Sequence, residues 1–296
     1  MKKYLYLAVI ALACSGALVS SCNDDKLTGD SIFTTKEQKR NPFDQWLYKN
    51  YTMPYNVDFQ YRLKTEETDK SYNFVPADSA KAAKLSIIAK YLWFDAYAEC
   101  VGPYFVKANV PRIIHLIGSP AFNSGQGTMV LGTAEGGLVI TLYMVNNLTD
   151  KMLTDYATVN DYYFHTMHHE FTHILNQKIP YDENFQHISE GNYVSGDWYQ
   201  KRTSAANKKG FVTPYAMSEP LEDFAEMLSV YVTTSPSGWQ KIMDTAGTTG
   251  APFIQAKLDM VRAYMKNSWK LDIDELRSIV LRRASEINHL DLNQLK

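Results

Sequence analysis

Five residues near the middle of the chain have types and a spacing suited to binding a metal ion. Residues 169–173 read His-Glu-Phe-Thr-His, so two histidines stand four positions apart with an acid directly after the first. In a helix, this spacing puts both imidazole rings on one face, one turn apart, where they can bind one zinc ion. Glu170 then lies beside the metal, where its carboxylate can take a proton from water that zinc activates. The motif predicts His169 and His173 as zinc ligands and Glu170 as a general base.

The residues around this motif predict the helix that it needs. Residues 162–176 contain no glycine or proline, and Asn160 and Asp161 can cap the start of the helix. Apolar residues recur at three- and four-residue steps in one stripe: Phe164, Met167, Phe171, Ile174 and Leu175. The motif histidines fall on a different arc, as expected for a helix with one packed side and one side facing a cleft. The alternative interpretation is a pair of buried histidines satisfied by hydrogen bonds.

A second helix is predicted to supply the remaining zinc ligand, because catalytic zinc usually takes three protein ligands and keeps a fourth position open. Ser218 can cap this helix, and Pro220 suits its first turn. Its apolar face is formed by Leu221, Phe224, Ala225, Leu228 and Val232. Glu222 and Glu226 stand one turn apart beside that face, where an acid is costly to bury unless it is paired or bound to a metal.

Glu222 is the predicted third zinc ligand, and the neighbouring acids Asp223 and Glu219 are the alternatives. Glu226 is expected outside the ligand set, where it would accept a hydrogen bond from a ligand histidine. A solvated helix face with one capping carboxylate would carry the same acids without any metal.

Three other histidines lie close to the motif in sequence. His165 precedes His169 by one turn, but three ligands from one straight helix would diverge around the metal. We therefore expect His165 outside the ligand set, with a place beside a ligand or at the cleft as the alternative. His168 lies beside the apolar stripe and is expected to pack in the core. His187 follows the helix and is expected to be an ordinary loop residue, with cleft lining as the alternative.

The N-terminus carries the features of an export and lipidation signal. Lys2 and Lys3 precede an apolar run over residues 4–13, and small residues then lead to Cys22, which resembles the bacterial lipobox. We predict a signal peptide over residues 1–21, lipidation at Cys22 and a flexible tether over residues 22–40. The alternative is an uncleaved membrane anchor, for which the apolar run is short.

Charge and cysteine content narrow the class of protein. The chain has 30 basic and 32 acidic residues, and loss of residues 1–21 removes two lysines and no acid, so the mature net charge is −4. No basic stripe is present, which argues against nucleic-acid binding. The mature chain keeps Cys100 as a free thiol, so no intramolecular disulfide is expected. Cys100 ends an apolar run and is expected to be buried.

Residues 41–296 are predicted to form one α+β domain. Helix signals before the middle of the chain cover residues 41–49 and 78–100, and most of the chain beyond residue 147 reads as helical. Strand signals cover residues 57–63, 113–117, 128–131 and 138–143. This order predicts a small mixed sheet packed on the helix that carries His169 and His173, and a mostly helical C-terminal half. Residues 138–143 are a candidate edge strand to which an extended peptide could add, with an ordinary core strand as the alternative.

The two metal-binding segments resemble those of known peptidases. Residues 222–226 read Glu-Asp-Phe-Ala-Glu, which after His-Glu-x-x-His is similar to the second helix of gluzincin-like metallopeptidases, including the catalytic domain of anthrax lethal factor. The resemblance implies a zincin-like fold in which Glu222 binds zinc. It also implies that Tyr215, seven residues before Glu222, is a catalytic residue that stabilises the oxyanion or protonates the leaving amine.

The whole chain resembles the zinc metallohydrolase lipoproteins associated with outer-membrane nutrient uptake in Bacteroides-like bacteria. Those proteins combine a lipobox, an aromatic segment like residues 46–61 and both metal-binding segments. The resemblance implies an outer-membrane lipoprotein. The acidic residues after Cys22 resemble a signal for the outer cell surface, so surface exposure is expected.

These observations lead to an expected function. We expect a lipid-anchored metallopeptidase of the cell envelope that uses Zn²⁺ to hydrolyse peptide bonds in a peptide or protein substrate. Its expected partners are the membrane, through the lipid, and an outer-membrane uptake complex. The main alternative is a non-catalytic binding lipoprotein of such a complex, and a zinc amidase acting on a non-protein amide is another.

Overall fold

The computed structural model describes residues 40–64, 72–123, 128–130, 132–135 and 138–295. Asn41–Lys296 fall within one compact unit. The predicted signal peptide, Cys22 and nearly all of the predicted tether lie outside the described residues, so they stay predictions. Within the described ranges, no helix is both long enough and apolar enough to cross a membrane.

Helices account for most of the described chain. In chain order they are α1 (Pro42–Leu47), α2 (Met53–Tyr55), α3 (Ser79–Ala89), α4 (Asp95–Val101), α5 (Pro103–Asn109), α6 (Asp150–Thr154), α7 (Tyr156–Val159), α8 (His165–Lys178), α9 (Asn184–His187), α10 (Thr203–Lys208), α11 (Pro220–Thr233), α12 (Pro236–Trp269) and α13 (Ile273–Ser285). Wider π-helical turns at Tyr48–Thr52, Lys90–Phe94 and Asn160–Phe164 join successive helices. Tighter 3₁₀ turns lie at Val145–Asn147, Ser195–Gln200, Tyr215–Met217 and Ile287–His289.

The described strands form a small mixed sheet and a separate hairpin. They are β1 (Asp58–Gln60), β2 (Ile113–Leu116), β3 (Ala121–Asn123), β4 (Thr128–Val130), β5 (Gly132–Glu135) and β6 (Val139–Leu142). The sheet order is β1-β2-β6-β5, in which β5 alone among these four runs antiparallel to its neighbour. β3 and β4 pair with each other. This mixed sheet, followed by a mostly helical half, confirms the predicted α+β class.

The predicted edge strand is an interior strand. β6 pairs with β2 on one side and with β5 on the other, so both rows of its backbone groups are used. The alternative of an ordinary core strand is therefore correct for residues 138–143. Among the described strands β5 lies at that edge of the sheet, because it pairs with β6 alone.

Helix starts agree with the predictions at two positions and differ at two others. Asn41 and Asp78 accept hydrogen bonds from backbone N–H groups of the following turn and cap α1 and α3. Asn160 does not cap the zinc helix, because its backbone is already helical and the chain winds continuously from Tyr156. Ser218 does not cap α11, since its hydroxyl donates back to the carbonyl of Tyr215 and Glu219 holds the cap position.

The apolar stripe of α8 is packed in the core, as predicted. Phe164, Met167, Phe171, Ile174 and Leu175 are all buried. Phe171 contacts the edges of neighbouring aromatic rings, with its centroid 5.1 Å from that of Trp93 and 5.0 Å from that of Tyr97. Burying a side chain of this size contributes about 2 kcal/mol to folding. The stripe fixes the rotation of α8 and so decides which face is left for the motif histidines.

Gly132 allows β5, at the sheet edge, to lie close to α8. A Cβ added to Gly132 on β5 would lie 2.5 Å from Cγ2 of Thr166 on α8. A residue with a side chain would have to push β5 away from the helix. The close approach places the backbone of β5 alongside the motif.

The free thiol of Cys100 is half-buried at the end of α4. Its Sγ lies 3.7 Å from the carbonyl oxygen of Asp272. Burial raises the pKa of Cys100 to about 12, so the thiol stays protonated near neutral pH. The sequence predicted burial, and the thiol is covered only in part; this environment suits packing.

Candidate metal centre

Packing of α8 against α11 brings three predicted ligands to one point. Nε2 of His169 lies 2.8 Å from Oε2 of Glu222 and 3.0 Å from Nε2 of His173. Nε2 of His173 lies 3.4 Å from the same Glu222 oxygen. His169 is buried, and the other two side chains are largely covered. Two nitrogens and one carboxylate oxygen thus converge within a few ångströms.

This donor set fits zinc in both chemistry and spacing. Two imidazoles and one carboxylate form a ligand set found at catalytic zinc sites. Ligands of a tetrahedral zinc at about 2.0 Å lie roughly 3.3 Å from one another, close to the separations seen among these three atoms. Nδ1 of His173, on the other side of that ring, is buried without a hydrogen-bond partner in the described part of the chain.

Glu226 fixes the ring of His169 from the other side. Its Oε1 lies 2.8 Å from Nδ1 of His169 and 2.8 Å from Nε2 of His165, and its Oε2 accepts a hydrogen bond of 2.6 Å from Thr213. Burial alone would raise the pKa of Glu226, but His165 and His169 hold it well below its usual range. An ionised carboxylate can only accept hydrogen bonds, so Nδ1 of His169 donates to Glu226. In the neutral ring, the lone pair of Nε2 then faces Glu222.

The charges around His169 favour a cation between the carboxylates of Glu222 and Glu226. Burial alone would lower the pKa of His169, yet its hydrogen bonds to Glu222 and Glu226 raise it to about 10. For Glu222, burial acts to raise the pKa, but hydrogen bonds with His169 and His173 hold it well below its usual range. A cation at this place is therefore stabilised by carboxylates that stay ionised.

Glu170 lines the cleft beside the converging ligands. It follows His169 directly on α8, and its side chain is mostly covered. Burial raises the pKa of Glu170, and His169 and His173 offset part of that increase. A carboxylate with a raised pKa is a stronger base than a solvated one, which suits proton transfer near neutral pH.

Tyr215 also lines this cleft. Its ring centroid is 5.7 Å from that of His169 and 4.9 Å from that of Trp198, so its ring packs against both. Burial and the neighbouring Glu222 raise the pKa of Tyr215, which keeps the phenol protonated and able to donate. The tyrosine singled out by sequence is thus brought to the metal ligands.

Comparison with known proteins agrees with this geometry. A family model described as "Putative zinc-binding metallo-peptidase" matches residues 36–274 of the chain. The chain belongs to this metallopeptidase family. A crystal structure of a Bacteroides caccae protein described in the same words is 45% identical, with a TM-score of 0.76, and the match covers 90% of this chain and all of that one. No curated protein matches the chain.

These matches confirm the predicted zinc cofactor and the peptidase family. The assignment of individual ligands and catalytic residues rests on the geometry given above. The structure brings together His169, His173, Glu222, Glu170, Tyr215 and Glu226, which are the residues that the sequence singled out for this site.

The two alternative third ligands, Asp223 and Glu219, lie elsewhere. Asp223 is fully buried, and its Oδ2 lies 2.6 Å from Nζ of Lys257 and accepts a hydrogen bond of 2.9 Å from Tyr193. Glu219 holds the start of α11 and is exposed. Neither belongs to the group of converging ligand atoms that contains Glu222.

The three other histidines near the motif, His165, His168 and His187, lie where the sequence predicted or where its stated alternative put them. His168 is fully buried beside the hydroxyl of Tyr97, and burial lowers the pKa of His168 to about 3. His187 is exposed and pairs with Glu190. His165 occupies the alternative place beside a ligand, since it shares the Glu226 oxygen with His169.

The sequence did not single out Thr213 or Asn176. Thr213 donates to Glu226 from a loop, and its position two residues before Tyr215 gives no pattern that would mark it. Asn176 lines the cleft, and it stands three residues after His173 on the same helix. That spacing puts Asn176 on the motif face, so helical periodicity could have identified it.

Proposed function

We propose that this protein is a peptidase that hydrolyses peptide bonds with zinc held by His169, His173 and Glu222. The observation that carries the proposal is the convergence of their three ligand atoms beside Glu170. Zinc bound there supplies a Lewis acid that activates water and polarises the scissile carbonyl. A third ligand from α11, the helix that follows the motif, supports the gluzincin-like assignment.

Glu170 and Tyr215 carry the proton chemistry in this proposal. Glu170 is the general base that takes a proton from the attacking water and returns it to the leaving amine. Burial raises the pKa of Glu170, which makes its carboxylate a better proton acceptor than a solvated one. Tyr215 stays protonated beside the ligands, so its hydroxyl donates a hydrogen bond to the developing oxyanion.

The substrate in this proposal is an extended peptide. Gly132 and Thr133 on β5 line the same cleft as Glu170, and β5 lies at the edge of the described sheet. An extended chain can pair with such an edge through backbone hydrogen bonds. The cleft has a volume of about 790 Å³, which suits several residues of a peptide.

The cellular context is part of the proposal. The lipobox-like sequence before Cys22 and the polar residues 22–40 support a lipoprotein of the outer membrane, with the peptidase domain held on a tether at the cell surface. The resemblance to uptake-associated lipoproteins supports association with an outer-membrane uptake complex. Activity on peptides at the surface would then supply material for import.

Cleavage of a broad peptide library by the wild type and by Glu170→Gln tests the proposed function. The zinc content of both proteins is measured in the same samples. We expect cleavage by the wild type and at least a hundredfold slower cleavage by the variant, with zinc retained in both. Equal cleavage by both proteins would contradict the role of Glu170. Cleavage by the wild type that depends on Glu170 would exclude the non-catalytic binding lipoprotein.

A further inference from the structure

Part of the cleft lining has no role in the proposed chemistry, and we call this part the recess. We define the recess by Asn176, Gln177, Tyr181, Glu183, Gln186 and Leu221, which line the same cleft as His173 and Glu222. The end of α8, the loop after it, the start of α9 and the start of α11 supply these residues. A group bound in the recess would therefore lie next to the reacting bond.

Asn176 is a buried polar group that points to a ligand in the recess. It is 6% exposed, and neither Oδ1 nor Nδ2 of its carboxamide has a hydrogen-bond partner in the described part of the chain. A buried amide without partners is destabilising, and such groups in folded proteins call for an explanation. Its place on the cleft wall makes a bound substrate group the natural partner.

The charge of the recess is negative. The cleft is lined by no lysine and no arginine among the described residues. Glu170 and Glu222 lie beside the metal site, whereas Glu183 is exposed at the recess and forms no ion pair with a described residue. The carboxylate of Glu183 is therefore available to a cation that enters the cleft.

The walls of the recess suit a long side chain with an apolar stem. The ring of Tyr181 stacks on Phe224, with centroids 4.2 Å apart and planes 13° from parallel. One face of the Tyr181 ring is therefore packed against Phe224, which holds the ring in place. Leu221, at the start of α11, is exposed. Lysine and arginine side chains lay their methylene groups along such surfaces and keep the charged end near polar partners.

We infer that the recess binds an arginine or lysine side chain of the substrate. The stem lies along Tyr181 and Leu221, and the cationic head pairs with Glu183 and donates to carboxamide oxygens of the recess, including that of Asn176. This inference rests on the proposed peptidase function and deepens it by naming the class of substrate residue beside the scissile bond.

Binding of three short peptide hydroxamates to the zinc-loaded protein tests the inference. The probes differ in one side chain next to the metal-binding group, which is arginine, norleucine or glutamate, and their dissociation constants are measured by calorimetry. We expect arginine to bind at least about tenfold more tightly than norleucine, and glutamate to bind most weakly. Glu183→Gln should reduce the difference between arginine and norleucine to less than about threefold.

Glu190→Gln is the matched control. Glu190 is an exposed acid seven residues further along that pairs with His187 and does not line the cleft, so its variant should keep the wild-type preference. Norleucine binding as tightly as arginine, a preference unchanged in Glu183→Gln, or no binding of any probe would overturn the inference. The probes need no turnover, so a preference for arginine in a protein that cleaves no peptide would reject the proposed peptidase and leave the recess assignment in place.

Discussion

Nδ1 of His169 lies 2.8 Å from Oε1 of Glu226, on the side of the ring opposite Glu222. This contact gives the two glutamates of α11 different tasks. Glu226 is buried, accepts hydrogen bonds and sets the orientation and tautomer of the histidine ring. Glu222, one turn earlier, faces Nε2 of the same ring, where a zinc ion could bind both. Two acids four residues apart thus act on opposite nitrogens of one imidazole.

Replacing Glu226 with glutamine should weaken zinc binding by roughly 10- to 100-fold. The carboxylate accepts from His165, His169 and Thr213, whereas an amide turns an N–H group towards at least one of these donors. Competition with a chelator gives the affinity of each protein. Glu219→Gln, on an exposed acid at the start of the same helix, is the control and should bind zinc as the wild type does. An unchanged affinity in Glu226→Gln would show that the ring orientation does not depend on this contact.

Replacing Tyr215 with phenylalanine should lower kcat by roughly 100-fold or more while zinc content and KM stay close to those of the wild type. The phenol is protonated and lies beside the ligands, so its loss removes one donor to the developing oxyanion, together with a hydrogen bond to Glu222. Steady-state kinetics on a cleaved peptide measure the effect. Tyr199→Phe, at an exposed ring nearby, is the matched control. A kcat equal to that of the control would remove Tyr215 from the catalytic residues.

Replacing Lys257 with methionine should lower the free energy of unfolding by about 3 kcal/mol or more. Lys257 and Asp223 are both fully buried 2.6 Å apart, so the variant leaves a buried carboxylate without its cation. Urea unfolding of the zinc-loaded proteins measures the loss, and adding Asp223→Asn to the variant should recover part of it. Lys266→Met removes an exposed pair with Asp272 and should cost much less than Lys257→Met, because solvent screens an exposed pair. Similar losses in both single variants would contradict the importance of the buried pair.

The ion pair of Arg262 and Asp274 should make a contribution to stability that depends on pH. Nε and Nη2 of Arg262 donate to the two oxygens of Asp274, which lowers the pKa of that carboxyl below its ordinary value of 3.8. A carboxyl whose pKa is lowered on folding stabilises the protein above that ordinary value, and the stabilisation disappears as the pH falls through the lowered folded value. Arg262→Met should therefore destabilise by up to about 1 kcal/mol at pH 7 and by less below pH 4. Unfolding curves of both proteins at pH 7 and pH 3 test this, and an equal loss at both values would show that the contact acts through packing.

The sequence was sufficient to predict the relative positions of side chains that lie on one helix. His169 and His173 stand four positions apart in an unbroken helical pattern, and the buried stripe through Phe171 fixes which way they face. Glu222 could be named for the same reason, because helical spacing places it beside an apolar face.

Features that depend on contacts between distant segments were not predictable in the same way. β5 lacks an alternating apolar pattern, and its place at the sheet edge follows from pairing with β6 and from the approach of Gly132 to α8. Asp223 remained an alternative ligand because Lys257, its buried partner, lies 24 residues beyond Thr233 at the end of α11. Ser218 has the side chain of a capping residue, but a 3₁₀ turn directs its hydroxyl back to Tyr215.

The most direct test of the metal site is the zinc content of the chain without residues 1–22, measured by elemental mass spectrometry beside Glu222→Ala and Glu219→Ala. We expect about one zinc per chain in the wild type and in Glu219→Ala, because Glu219 lies outside the converging ligands. In Glu222→Ala we expect loss or marked weakening of zinc binding. A wild type without zinc after supplementation, or a Glu222→Ala protein that binds zinc as tightly as the wild type, would contradict the assigned ligands.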